Sequence, residues 1–259
     1  MAYSDEAAKL AELIEAAQPA VALTGAGISV PSGIPDFRSP GTGLWERVNP
    51  FEVAHIDAFR RDPRRFWQFY SQRFATLRDK KPNGAHYALA ELERRGLLAG
   101  VITQNIDRLH SQAGSKEVVE VHGSIARCRC LACGLTVPLE EAIALIEGDP
   151  EGVPRCHRCN APLKPDVVLF GELLPLAAFA RAEALCEQAA LCLCVGTSLE
   201  VHPVAGLPEL TVAKGGKVAI LTKGKTPLDD LAALKVEGDV EEVLKGVVAA
   251  LGSSAARAD

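Results

Sequence analysis

Near the amino terminus, apolar residues recur at helical spacing (Leu10, Leu13, Ile14), and after Pro19 an unbroken apolar run covers 20–23. The first pattern predicts an amphipathic helix, the second a short strand buried on both faces. A loop rich in Gly, Ser and Pro follows over 24–43, and residues 52–95 then read as helices. Pro63 marks a first turn, 65–77 forms an aromatic-rich segment, and a helix from about 85 to 95 is closed by Gly96. Two further short strands are predicted at 100–103 and 118–121, where Val101, Ile102, Val118, Val119 and Val121 cluster. Beyond a cysteine-bearing segment at about 124–164 come strand 166–170, helix 176–189, strand 191–195, helix 204–213, strand 217–221, a short strand at 234–236 and a last helix at 239–251.

Strands alternating with helices predict an α/β fold, a parallel sheet covered by helices on both faces. Such sheets bind ligands beyond the carboxyl ends of their strands. Five loops leave those ends, at 24–27, 104–107, 122–123, 196–198 and 222–224, and they are expected to converge on one rim.

The 259 residues, 48% of them hydrophobic, suffice for one large domain with or without a satellite. A net charge of -5 argues against a general nucleic-acid binder. The opening residues lack the charged and apolar regions of a signal peptide, and no apolar run approaches the roughly 20 residues of a membrane span. Eight cysteines, four of them in Cys-x-x-Cys pairs, suit a reducing cytoplasm better than a disulfide framework. The pairs are Cys130/Cys133 and Cys156/Cys159. Four thiolates from two such turns close a tetrahedral zinc site and leave no open position, so the metal reads as a staple. Cys128, two residues before Cys130, is a competing ligand, while Cys186, Cys192 and Cys194 lie in apolar surroundings and read as buried thiols.

Gly25 and Gly27 are the first two glycines of a dinucleotide turn, but Val30 stands where the third belongs, and no ribose-binding acid follows a second strand. Taken alone, a generic tight turn explains the pair equally well. The continuation through Pro31, Gly33 and Pro35 ends in Asp36, Phe37 and Arg38, a guanidinium for a phosphate and a ring to shield a sugar.

Together with 103–110, His122 and Gly123, the four cysteines, 167–172 and 196–198, this loop resembles the sirtuin family of NAD-dependent protein-lysine deacylases, over most of the chain and in the family's order. The resemblance implies a Rossmann-like NAD-binding domain (1–44, 96–123 and 165–259). It also implies a smaller domain, built from a helical module (45–95) and a zinc-binding module (124–164). It implies NAD as cosubstrate, one structural Zn2+, and acylated lysine segments of proteins as partners, with no membrane and no specific nucleic acid. His122 becomes the base that activates a ribose hydroxyl, a task suited to an imidazole. Asn105 would hold the nicotinamide-side ribose, and Asp107 the nicotinamide carboxamide. Gly25, Ala26, Gly27, Ile28, Asp36, Phe37, Arg38, Gln104, Ile106, Gly196, Thr197, Ser198, Thr222, Lys223 and Val240 complete the expected cofactor site, and Val168, Phe170 and Gly171 the peptide site. One departure is Thr222, where the family commonly has an asparagine at the adenosine ribose; threonine keeps a hydroxyl and loses an amide donor.

Helix 65–77 carries five of the chain's thirteen aromatics, and Tyr70 and Arg73 share one of its faces. In a branch of the family that prefers succinyl, malonyl or glutaryl lysine, a Tyr-x-x-Arg here receives the acyl carboxylate. A bidentate Arg–carboxylate contact is worth roughly 1.5–3 kcal/mol, enough to set a preference without abolishing deacetylation. An aromatic core face with a solvated arginine accounts for the same residues. Three rival functions share some of these features: mono-ADP-ribosyl transfer, a non-catalytic NAD-sensing zinc-ribbon protein, and a hydride-transfer dehydrogenase. The last lacks the ribose-binding acid.

Overall fold

The computed structural model describes residues 3–36, 41, 43, 46 and 48–255. Its centre is a six-stranded, wholly parallel sheet made of β1 (Ala20–Thr24), β2 (Val101–Thr103), β3 (Val118–Glu120), β7 (Leu191–Val195), β8 (Lys217–Leu221) and β9 (Leu234–Val236), in the order β3-β2-β1-β7-β8-β9. Strand order reverses between β1 and β7, which pair in register from Ala20↔Leu191 to Thr24↔Val195. Every residue of both strands is buried, because helices cover both faces. Ala20 and Ala22 pack into one layer with α1 (Ser4–Ala16), α5 (Gly84–Arg94) and α10 (Val240–Ala255). Val21 and Leu23, on the opposite pleat, face α8 (Leu176–Gln188) and α9 (Leu207–Ala213).

A second core lies apart from these two. It gathers Phe59 of α3 (Ile56–Arg61), Phe66, Trp67 and Phe74 of α4 (Pro63–Arg78), Leu139 and Ala142 of α7 (Leu139–Gly148), and the inner face of a three-stranded antiparallel sheet. That sheet has the order β5-β4-β6, from β4 (Gly123–Cys130), β5 (Thr136–Pro138) and β6 (Leu163–Val167). Trp67 Nε1 donates to the Leu163 carbonyl at 2.9 Å and ties the aromatic helix to this sheet. The short helices α2 (Pro50–Val53) and α6 (Leu109–Ala113) complete the elements used below.

Three expectations change. The strand foreseen at 166–170 lies at Leu163–Val167 and joins the small antiparallel sheet, where Cys128 opposes Pro165 and Cys130 opposes Leu163. The reason is long-range pairing with β4, which no local pattern in 163–170 reports. The helix expected at 204–213 splits into a 3-10 turn (Val204–Gly206) and α9, with Pro208 in the first turn of α9. The loop over 24–43 contains a 3-10 helix, Ala26–Ser32, closed by Gly33. α5 packs Ala85, Ala88, Leu89 and Leu92 against the large parallel sheet's layer, whereas α4 packs in the small core. Among the described residues no helix is long and apolar enough to cross a membrane.

Candidate active site

The two cysteine pairs form matching knuckles. Gly134 N–H donates to the Cys130 carbonyl at 2.9 Å, and Asn160 N–H donates to the Cys156 carbonyl at 2.8 Å. Gly134 and Asn160 are both left-handed, at φ 75° and 61°. The turns bring all four Sγ atoms within 4.8 Å of one another, with Cys130–Cys159 at 3.4 Å and Cys133–Cys156 at 3.6 Å. Zinc–sulfur bonds of about 2.3 Å in a tetrahedron put sulfurs about 3.8 Å apart, so the set fits one Zn2+. Cys128 is outside the set, buried in the small core. None of the four ligands lines the large cavity, which agrees with a staple rather than a reacting metal.

That cavity, about 970 Å³, is lined from all five strand-end loops: Gly25, Ala26 and Gly27; Gln104, Asn105, Ile106 and Asp107; His122; Gly196, Thr197 and Ser198; Thr222 and Lys223. Asp36 and Val240 also line it. Ile28 does not, since its side chain is buried in the core beneath. Phe37 and Arg38 lie outside the described residues.

The glycines are explained by the reversal of strand order. The loops after β1 and β7 leave adjacent strands and meet, and Gly27 N–H donates to the Gly196 carbonyl at 2.8 Å. A Cβ on Gly25 or Gly27 would come within 2.8 Å of Gly196 backbone atoms. Val30, at the position of the missing third glycine, sits in the 3-10 helix with its side chain exposed at the cavity edge, so no close helix–strand approach requires a glycine there.

His122 follows β3 and lines the cavity. Its Nδ1 lies 3.1 Å from the Gln104 carbonyl, which only accepts, so Nδ1 carries the proton and Nε2 keeps its lone pair. Burial lowers the His122 pKa, opposed by that hydrogen bond, and the ring is neutral near pH 7. Gln104 Nε2 in turn donates to Thr197 Oγ1 at 2.8 Å and links the loops of β2 and β7. Asn105 is buried, with Nδ2 donating to the Gly25 carbonyl (3.0 Å) and Ser29 Oγ (3.2 Å). Asp107, also buried, accepts from Ser29 Oγ at 2.7 Å and from Leu109 N–H at 3.0 Å. Burial raises its pKa against the pull of those two bonds.

Ser29 is therefore a hub that sequence reading left without a role, as are His86, His110, Thr24 and Thr103 behind it. Four of these five stood inside quoted segments, but only their contacts single them out. A polar residue in a buried stretch is the one signal that could have found them.

Tyr70 and Arg73 both line the cavity. Burial pushes the Tyr70 phenol up to about 12, opposed by Arg73, and burial lowers the Arg73 pKa, opposed by Tyr70. The guanidinium lies 5.6 Å from the Phe69 ring centre, and no carboxylate pairs with it among the described residues. Val168, Phe170 and Gly171 line the same space, yet two of their N–H groups are already engaged. Val168 N–H donates to the His122 carbonyl, and Phe170 N–H to that of Ala54, each at 2.8 Å. Leu169 N–H donates to Glu172 Oε2 at 2.9 Å, and the same oxygen is 2.8 Å from the buried Lys164 Nζ. An incoming strand must therefore use other backbone groups of this segment. At the far end, Thr222 N–H is held by the Val236 carbonyl at 3.2 Å, and Lys223 Nζ lies 3.9 Å from Asp239.

A family profile for the Sir2 family matches residues 25–203. The chain is 45% identical over 249 residues to an NAD-dependent protein deacetylase of Sulfolobus acidocaldarius, covering 96% of each chain. It is 46% identical over 233 residues to an NAD-dependent protein deacylase of Thermus thermophilus, covering 88% and 89%. A solved Sir2 complex with a p53 peptide and NAD+ superposes with a TM-score of 0.88 at 42% identity, over 95% of this chain and 98% of that one. With the strand order, the cysteine cluster and the convergent loops already pointing the same way, the chain belongs to the Sir2 family.

Proposed function

We propose that the chain is an NAD-dependent protein-lysine deacylase that removes acyl groups from lysine side chains and favours acidic ones such as succinyl. The reading is carried by one observation: five separated loops share one cavity beside a histidine whose Nδ1 is bound to a carbonyl. The cavity's residues suit a dinucleotide. Gly25–Gly27 opens a 3-10 helix at the rim, Asn105 and Asp107 offer buried polar groups, and about 970 Å³ lies at the upper end of the ~300–1,000 Å³ typical of ligand pockets. Bound NAD supplies an electrophilic ribose carbon with nicotinamide as leaving group. His122 Nε2 takes a proton from a ribose hydroxyl, and its neutral state at physiological pH follows from burial. Asn105 holds the ribose side of the site and Asp107 the carboxamide side, both oriented through Ser29. Thr222 and Val240 line the adenosine end.

Arg73 gives the acyl preference its support, as a half-buried guanidinium on the cavity wall beside the Tyr70 hydroxyl. The zinc module holds the wall opposite the parallel sheet, and the small unit comprises 50–78 with 123–167. Free cysteines, four of them arranged for a metal, suit the reducing cytoplasm.

Purified protein with NAD is to be assayed for nicotinamide release on a panel of acyl-lysine peptides. Succinyl-lysine is expected to outpace acetyl-lysine, with O-acyl-ADP-ribose as product. Arg73→Met is expected to narrow that ratio by about 10-fold or more. An unchanged ratio removes the carboxylate pocket, and ADP-ribosylated protein in place of O-acyl-ADP-ribose removes the deacylase reading.

A further inference from the structure

Behind the cavity wall lies a buried polar chain that the proposed chemistry leaves unused. His110, on α6, is 1% exposed. Its Nε2 is 2.9 Å from Thr24 Oγ1, and Thr24 Oγ1 is 2.9 Å from Thr103 Oγ1. Thr103 Oγ1 accepts the backbone N–H of Asn105 at 3.1 Å. The other ring nitrogen, Nδ1, is buried and has no hydrogen-bond partner among the described residues. A buried N–H without a partner costs more than an unpartnered lone pair, so the proton belongs on Nε2. Nε2–H then donates to Thr24, Thr24 donates to Thr103, and Thr103 receives Asn105. The direction of the whole chain is set at His110.

His86 supports the neighbouring residue in the same manner. Its Nδ1 accepts Asn83 N–H at 3.3 Å, leaving Nε2–H for Ser29 Oγ at 3.5 Å, and Ser29 donates to Asp107. The two rings are in contact, with centres 4.9 Å apart, and burial lowers the pKa of each, to about 4 for His86 and about 3 for His110. Both remain neutral donors at physiological pH.

We propose that His110 is a positioning residue: as a neutral Nε2–H donor it anchors the backbone of Asn105 through Thr24 and Thr103, without touching the cavity. The inference deepens the deacylase reading, since it concerns a residue assigned to that site. Its value is that the two ring nitrogens can be tested separately. A glutamine places its amide nitrogen near the Nε2 position and an asparagine places its own near Nδ1.

His110→Gln is expected to release nicotinamide within about threefold of wild type. His110→Asn, which loses the donor that is used, is expected to fall by about tenfold, with the KM for acyl-peptide unchanged. Equal losses in both variants, or no loss in either, overturn the proposal, because shape alone would then account for the residue. A second measurement does not depend on activity or on the variants folding. Nitrogen-15 NMR of histidine-labelled wild-type protein is expected to show His110 as the Nε2–H tautomer, and the Nδ1–H tautomer overturns the proposal. If wild type releases no nicotinamide while this tautomer is found, the deacylase reading fails and the positioning inference stands.

Discussion

The two cores of this protein are held together by different means. In the large one, β1 and β7 are buried along their whole length, between α1, α5 and α10 on one side and α8 and α9 on the other. Burial from both sides is self-sufficient, since each side chain removes apolar surface from water while the neighbouring strands satisfy its backbone N–H and C=O. The small core has only three strands, and β4 alternates buried with exposed residues, so one face of its sheet meets solvent. On that face Arg127 and Arg129 pair with Asp166 at 2.7 and 3.3 Å, and exposed pairs of this kind contribute little. What the small core lacks in area it recovers from the metal and from the aromatic face of α4. The cavity lies where the two meet, so its geometry depends on the weaker partner.

The largest effect expected on this contrast is zinc removal. Structural zinc contributes about 10–16 kcal/mol of apparent binding energy in small modules, so Cys156→Ser or chelation is expected to unfold the small core and leave the parallel sheet intact. Hydrogen exchange would then rise across 123–167 and stay slow in β1 and β7. Protection that remains unchanged in both regions after complete metal loss would erase the contrast.

A smaller effect is expected at the turn that joins small sheet and cavity. Lys164 Nζ donates to the Pro165 carbonyl at 3.1 Å and to that of Val167 at 2.6 Å while pairing with Glu172 at 2.8 Å. Lys164→Met leaves that partly buried carboxylate without its cation, at a cost of about 3 kcal/mol, the low end for a buried pair. Because Glu172 also holds Leu169 N–H, the KM for peptide is expected to rise while the KM for NAD is unchanged. Parallel changes in both constants would mean that the turn acts on the whole protein.

The smallest effect concerns acid and falls on the large core. His86 and His110 have native pKa values lowered from 6.5 by burial, to about 4 and about 3. Between those values and 6.5 the unfolded chain binds more protons than the native one. Stability is therefore full above pH 6.5 and declines as pH falls through the window, by about 1 kcal/mol for each histidine between pH 7 and 5.5. Thermal melts across that range should show the slope, and His110→Gln should flatten it by the His110 share, about 1 kcal/mol between pH 7 and 5.5. An identical slope in the variant would place the titration elsewhere.

Legibility followed the same division. The central strands of the large core stand out as short apolar runs, and β7 and β8 lie where periodicity put them. The zinc ligands were legible because a knuckle is a local turn, repeated almost identically at Cys130 and Cys156. β6 was misplaced by three residues, since its partner β4 lies beyond β5, α7 and the second cysteine turn, and Lys164 and Pro165 disguise it as a loop. The packing of α5 was equally hidden. Its apolar face looks like that of any small helix, and only the tertiary fold directs it to α10.

Composition and local pattern were thus enough to determine the α/β class, the closed Cys₄ site and the five polar loops, because each depends on residues a few positions apart. Only the tertiary structure decided that Ile28 turns into the core while Ser29 beside it joins Asn105 and Asp107, and that Thr24 meets Thr103 and His110, partners 79 and 86 residues away. The physical reason is that a hydrogen bond across such a distance exists only after β1 and β2 have paired, and nothing in either segment alone encodes which polar atom will face it.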